Sequence, residues 1–156
     1  MLRKRLIFAL VYSDGYFNQS RNFKLQKVGD LKWLEKNYNF KSVSRHLDEI
    51  IILNASRGES DHSIFCNTVR EIAKTSFIPV SAGGKIKSMN DVSMLFTNGA
   101  DKIIFNSTLI ENPNLVLKTF ESYGSSSIVA SIDLKINKKD DYEIYINNGK
   151  TKLDLT

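Results

Sequence analysis

An α/β fold with a parallel sheet is what this 156-residue sequence predicts, and three observations predict it. Five continuous apolar runs, rich in β-branched residues, recur along the chain and each ends in polar residues or glycine. Unbroken apolar runs of this kind suit strands covered on both faces, as in parallel sheets. Segments of helical periodicity separate the runs, and after the first, longer unit the runs begin roughly 25 residues apart, the cadence of repeating βα units.

The first run, RLIFALVYS (residues 5–13), ends at the turn residues Ser13, Asp14 and Gly15. A helix follows in GDLKWLEKNYNFKSVSRHL, with Asp30 as its N-cap and Leu31, Leu34 and Tyr38 at helical spacing. The second run is EIIILNAS (49–56), and DHSIFCNTVREIAKTS after it places Phe65, Val69, Ile72 and Ala73 on one face. The third run, FIPVSAGG (77–84), leads into a helix in SMNDVSMLFTNGAD that starts with Asn90 near its N-cap and stops at Gly99. The fourth, KIIFNST (102–108), precedes ENPNLVLKTFESYG. There Pro113 occupies the first turn, Leu115, Leu117 and Phe120 face inward, and Gly124 ends the helix. SIVASID (127–133) is the fifth run. The remaining residues read as a charged turn, a strand YEIYIN, and a turn at Asn148-Gly149.

Composition narrows the function classes. The chain is 42% hydrophobic and 25% charged, ordinary for a globular domain with a single core. It has no apolar run long enough to span a membrane, and MLRKRLIFALVYSDG reads as a first strand ended by a turn rather than a secretory leader. The single cysteine, Cys66, excludes an internal disulfide framework and is expected in a small buried role. His46 and His62 lack neighbours at ligand spacing, so no metal site is expected. These features describe a cytoplasmic chain, in which the NAS sequon at 54–56 goes unused. The net charge of +5 is scattered without interleaved aromatics, so a phosphorylated small molecule is a better anionic partner than nucleic acid. No cofactor is implied.

Two architectures fit alternating strands and helices, a doubly wound sheet and a (βα)8 TIM barrel. The SDGYFNQS stretch after the first strand lacks the glycine-rich fingerprint of a dinucleotide fold; the glycine pair, Gly83-Gly84, follows the third strand instead. A barrel takes about 250 residues. Residues 1–156 are therefore expected to form the N-terminal part of a single TIM-barrel domain, about the first five βα units, truncated or split. Strand edges at 5–12 and 127–133 are expected to lie open.

In a barrel the chemistry sits at the C-terminal ends of the strands. Those ends carry Val11 to Asp14, Asn54, Gly83-Gly84, Asn106-Ser107 and Asp133. Each alone is also an ordinary turn or cap residue; together they describe a ligand-binding mouth. Gly83 and Gly84 let backbone amides approach an anion, Asn106 and Ser107 add donors, and Lys85 supplies either a point charge or a solvated loop side chain. Asp133 is either an acid–base carboxylate of raised pKa or a cap for the next turn. At the opposite ends, Arg5, Glu49 and Lys102 each precede an apolar run, and spacing alone leaves them as ordinary solvated charges.

The strings DEIIILNAS, FIPVSAGGKIKS, NGADKIIFNSTLIENPNLV and GSSSIVASIDLK, with MLRKRLIFALVYSDG, resemble the cyclase subunit of imidazole glycerol phosphate synthase, a (βα)8 barrel. The resemblance covers nearly all of this chain and the first five of the family's eight units. It implies a phosphoribulosyl nucleotide ligand and ammonia delivered by a glutaminase subunit through the barrel's bottom. Arg5, Glu49 and Lys102 match the family's charged gate, and Asp101 matches a residue facing the glutaminase. Asn106 and Ser107 match a phosphate site, and Asp133 matches one catalytic aspartate. The other catalytic aspartate falls at Val11, which can neither hold nor donate a proton. The family's loop-one lysine falls at Gln19, its acidic end of strand two at Asn54, and its third loop glycine at Lys85. A retained ammonia end beside an altered cyclisation end is similar to a branch associated with surface-polysaccharide biosynthesis. In that branch the barrel and glutaminase pass ammonia to a separate sugar amidotransferase. The alternatives are an authentic histidine-pathway lyase and an inactive barrel fragment, and a further chain supplying the missing barrel half is a conceivable partner.

Overall fold

The computed structural model describes residues 4–147 and 149–154. Its elements run β1 (Ile7–Ser13), β2 (Tyr16–Arg21), β3 (Lys24–Gly29), α1 (Leu31–Tyr38), α2 (Phe40–Val43), β4 (Glu49–Asn54), α3 (His62–Ser76), β5 (Val80–Gly83), α4 (Met89–Thr97), β6 (Lys102–Phe105), α5 (Thr108–Glu111), α6 (Pro113–Tyr123), β7 (Ile128–Ala130), β8 (Asp133–Ile136), β9 (Tyr142–Ile146) and β10 (Thr151–Lys152). Two sheets result, one of seven strands in the order β3-β2-β1-β4-β5-β6-β7 and one of three in the order β10-β9-β8.

The five expected parallel strands are present as β1, β4, β5, β6 and β7, each pairing in parallel with the next. Their order never reverses, so no topological switch point of a doubly wound sheet occurs, and right-handed crossovers put the helices on one face. That face is the core. Leu10, Tyr12, Ile50, Ile52, Val80, Ala82, Ile103 and Phe105 pack there against Leu34, Phe65, Val69, Ile72, Val92, Leu95 and Leu115 from the helices. The alternate residues Ala9, Val11, Ile51 and Leu53 point to the other face and stay half-buried or exposed. This singly wound α/β sheet is consistent with a TIM-barrel family.

Three expectations are corrected. The segment after β1 is a β-hairpin rather than a bare loop. Asp14-Gly15, with φ of 50° and 87°, makes a two-residue turn that suits strand twist, and β2 then pairs antiparallel with β1 through Val11, Tyr12 and Ser13. The sheet therefore ends at β3 and β7, and β1 is not an edge over its whole length. The fifth parallel strand stops at Ala130, because Asp133 has already entered the antiparallel β8–β9 pair, opposite Tyr145. In α6 the buried residues are Leu115 and Thr119, whereas Leu117 and Phe120 are 58% and 50% exposed. The true inward stripe runs i, i+4 from Leu115, and a hydroxyl fits it because Thr119 Oγ1 donates back to the Leu115 carbonyl at 2.8 Å.

Helix starts follow local chemistry. Asp30 accepts from the Trp33 amide at 2.8 Å, as expected of an N-cap. For α4 the N-cap is Ser88, two residues before Asn90, in a reciprocal capping box with Asp91. Asn112 caps α6, with Pro113 as its first residue. Cys66 is buried in α3, where burial, aided by Asp91 and Asp61, pushes its thiol up to about 11. The strand YEIYIN is present as β9; Asn148 of the following turn lies outside the described residues. No helix among the described residues is long and apolar enough to cross a membrane.

Truncating the core-facing Ile52 to alanine is expected to cost about 2–5 kcal/mol in urea unfolding. Phe120→Ala, on the corrected outward face, should change stability by no more than about 0.5 kcal/mol.

Candidate functional site

The two ends of the parallel strands hold two different groups of residues. At the N-terminal ends, the carboxylate of Glu49 is buried where β4 begins, its residue only 4% exposed. Arg5 donates to its Oε2 at 2.5 Å, Lys102 Nζ donates to Oε1 and Oε2 at 3.3 and 3.2 Å, and Ser81 Oγ donates to Oε1. Register explains the meeting. Glu49 lies beside Ile7, Ser81 beside Ile51 and Lys102 beside Ser81, all on the face opposite the helices. Burial works to raise the Glu49 pKa, but the bonds from Ser81, Lys102 and Arg5 outweigh it and hold the carboxylate below its ordinary range. Spacing alone left these charges as solvated, whereas the family resemblance grouped them; the structure joins them. Asp101 stands apart from them, exposed, with Oδ2 accepting from the Val80 amide at 2.8 Å.

At the C-terminal ends a cavity of about 420 Å³ opens, a size suited to a small-molecule ligand. Val11, Asn54, Gly84, Lys85, Asn106, Ser107 and Asp133 all line it. Asn106 is held by donating to the Ser131 carbonyl at 2.9 Å, and its Oδ1 accepts from Ser107 Oγ at 3.3 Å. Asp133 is half-buried; burial raises its pKa, and the Asn106 side chain opposes the rise. Asn54 is 5% exposed. Its Oδ1 accepts from the Ser56 amide at 3.1 Å, and its Nδ2 has no hydrogen-bond partner among the described residues. A buried donor without a partner is costly, and a ligand acceptor would relieve it.

The remaining expected residues are placed differently. Gly83 does not line the cavity; it lies within β5, where a Cβ would collide with the Ile104 carbonyl. Gly84 has φ +93°, and a Cβ there would collide with the Asn54 carbonyl. Close backbone packing therefore requires glycine at both positions, whatever binds nearby. Gln19 sits on β2 in a neighbouring groove that shares Val11 with the cavity. Among the lining residues that escaped the sequence reading are Phe23 and Arg57. Neither carries a local sequence signal: Arg57 follows β4 in a loop, and Phe23 lies in the Asn22-Phe23 turn between β2 and β3. Among the described residues no group of three or more His, Cys, Asp or Glu could hold a metal ion.

The family model described as "Histidine biosynthesis protein" matches residues 21–156, and the chain belongs to that family. Within it, the similarity is to imidazole glycerol phosphate synthase cyclase-type subunits. A protein of Parasynechococcus marenigrum (strain WH8102), provisionally named imidazole glycerol phosphate synthase subunit hisF2, is 45% identical over 96% of this chain and 55% of its own length. The imidazole glycerol phosphate synthase subunit HisF of Staphylococcus carnosus (strain TM300) is 35% identical over 99% of this chain and 60% of its own. That of Clostridium botulinum (strain Langeland) is 38% identical over the same shares. The chain thus spans little more than half the length of these relatives.

Because the folded Glu49 is held below its ordinary value of 4.5, its stabilisation is complete above that pH and is lost as pH falls through its folded pKa. Glu49→Gln is expected to lower stability at pH 7 by about 1–3 kcal/mol, with the gap to wild type closing in acid. Asp133 has the opposite sign. Its ionisation disfavours the fold, so Asp133→Asn should raise the melting temperature at pH 7, with the gain disappearing below the ordinary value of 3.8. Thermal unfolding across pH checks both.

Proposed function

We propose that this chain is an imidazole glycerol phosphate synthase cyclase-subunit-like protein that conducts ammonia and binds a phosphorylated ligand. It would serve a glutamine amidotransferase in sugar amidation for surface polysaccharide. The observation that carries this reading is the contrast between the two strand ends. The Arg5–Glu49–Lys102 cluster, with Ser81, is a joined, hydrogen-bonded group at the end of the strands that this reading assigns to ammonia entry. In the cavity at the other end, Val11 stands where a second carboxylate would be needed beside Asp133. Cyclisation by paired acid and base requires two titratable groups, and a valine supplies none.

Roles follow from chemistry. Asn106 and Ser107, with Gly84, Lys85 and the Asn54 amide, bind the phosphate, Gly83 keeping the backbone close beside them; Gln19 faces the ligand from the hairpin side. Arg5, Glu49, Lys102 and Asp101 form the glutaminase-facing end. A sugar amidotransferase takes the ammonia, and further barrel units, on this polypeptide or another, close the sheet between β3 and β7. No cofactor takes part. One observation favours the second reading, an authentic histidine-pathway cyclase. Asp133 is retained with a raised pKa, as a general acid or base requires.

Ammonium salt plus the phosphoribulosyl intermediate should give no turnover with this chain joined to the units that complete it. Turnover would replace the leading reading with the lyase. Affinity for a glutaminase subunit should be weakened at least about tenfold by charge reversal at Asp101, given the worth of a buried interfacial charge contact. An unchanged complex would count against this face as the docking end.

A further inference from the structure

Two loops bring cations to the cavity from different parts of the chain. The loop between β4 and α3, residues 55–61, carries Arg57, and the loop between β5 and α4, residues 84–88, carries Lys85 and Lys87. None of these three cations has a carboxylate within 4.0 Å among the described residues. Arg57 donates to the Phe23 carbonyl at 2.5 Å, and Lys85 Nζ reaches across to the Gly58 carbonyl at 3.4 Å. Like charges repel, so whatever fixes the separation of the two loops sets how well their cations share one anion.

The helices behind these loops are joined at both ends. At the far end the contact is steric: a Cβ on Gly99, just past α4, would come within 2.8 Å of the Ala73 Cβ on α3. At the near end it is polar. His62, the first residue of α3, places Nε2 at 3.2 Å from the carbonyl of Asp91 in the first turn of α4, 29 positions away in sequence. A carbonyl only accepts, so Nε2 carries the proton. Nδ1 is buried without a hydrogen-bond partner among the described residues, which suits a bare ring nitrogen better than a second N–H. The Phe65 ring, 6.1 Å away, and the carboxylates of Asp61 and Asp91 surround the imidazole, with Cys66 one turn further along α3. Both carboxylates are engaged elsewhere. Asp61 accepts from the Ser63 amide at 2.8 Å, and Asp91 from the Lys87 and Ser88 amides at 2.9 Å each.

We propose that His62 is a positioning residue for the anion site: by donating to Asp91 it sets the spacing between the Arg57 loop and the Lys85–Lys87 loop. The connection is short on both sides. His62 directly follows Asp61, the cap that ends the first loop, and Asp91 grips the end of the second through the Lys87 and Ser88 amides. The inference rests on the phosphorylated-ligand reading above and adds a residue behind the cavity that the reading does not contain. The long Lys85–Gly58 contact yields when an anion takes the lysine, whereas the His62 bond lies outside the cavity and stays.

The test uses the full chain, inorganic phosphate as probe and calorimetry for affinity, well below the melting temperature of each variant. His62→Asn is polar and suits a helix start, but its side chain is too short to reach Asp91. It should weaken phosphate about two- to tenfold, the worth of one hydrogen bond. His62→Gln carries an amide nitrogen about as far out as Nε2 and should restore the wild-type affinity, a rescue that bulk or helix propensity alone would not give. Nitrogen-15 NMR of the wild-type ring, which needs no variant, should show a protonated Nε2 and a bare Nδ1 with and without phosphate. It decides the matter if the variants fail to fold. Unaltered affinity in His62→Asn, a His62→Gln variant as weak as His62→Asn, or a ring protonated at Nδ1 alone would overturn the positioning role and leave the phosphate reading standing. No phosphate binding to wild type would overturn both.

Discussion

A carboxylate buried at the start of a central strand must find donors or leave the fold, and Glu49 finds them on three other segments of the chain. Arg5 comes from just before β1, Ser81 from β5 and Lys102 from β6. That arrangement holds in only one register. A slip of one residue in any of these strands would swing a charge to the helix face, into a layer of residues almost wholly removed from water. The apolar face pushes in the same direction, since the same slip would expose Ile50, Ile52 or Ile103. Hydrophobic burial supplies most of the stability, and the ionic cluster adds a penalty against wrong registers.

The same alternation places the cavity. With Leu10, Tyr12, Ile52, Ala82 and Phe105 committed to the helices, the strands present Val11, Leu53 and Ile104 on the other face, and the loops beyond them carry the polar groups. The loops are braced by their own bonds: Asp14 to Ser56, Ser56 to Asn54, Asn106 to Ser131. A rigid scaffold with braced loops at the C-terminal strand ends is where α/β proteins bind small molecules. Two antiparallel additions, the β2–β3 hairpin and the β8–β10 sheet, meet over it through Phe23 and Gly149.

The family membership and this geometry bear on different questions. Similarity over nearly the whole chain says which proteins share its ancestry, and the side chains say which parts of their chemistry can operate. A charged cluster at one end of the strands and an amide-rich cavity at the other are both present, and Val11 is an apolar part of the cavity lining. Function is carried by such sites and not by the fold that supports them.

Much was legible in the sequence because it depends on local periodicity. The five parallel strands, the Asp30 cap, the Pro113 start and the helical faces through Leu34, Phe65 and Val69 are properties of contiguous residues. The apolar runs are strands as expected, although Leu6, Ile7 and Ile132 within them stay exposed. Misreadings arose where two local patterns competed. Leu117 and Phe120 are apolar at near-helical spacing, but the face of α6 is set by its contact with the sheet, and Thr119 takes the core position by bonding its own helix. Asp133 ends an apolar run and still belongs to the next sheet, because β9 offers it a ladder partner. The ion cluster and the Arg57–Phe23 contact lie beyond any local reading. Their members are 44, 53 and 34 residues apart, and only the register of the parallel sheet and the folding back of the hairpin bring them within hydrogen-bond distance. The sequence by itself determined the five parallel strands and the helices between them, since those follow from nearest-neighbour sterics and burial. The tertiary structure alone decided which charges neutralise one another and which loops close the cavity, since Coulombic and hydrogen-bond partners are chosen by distance in space.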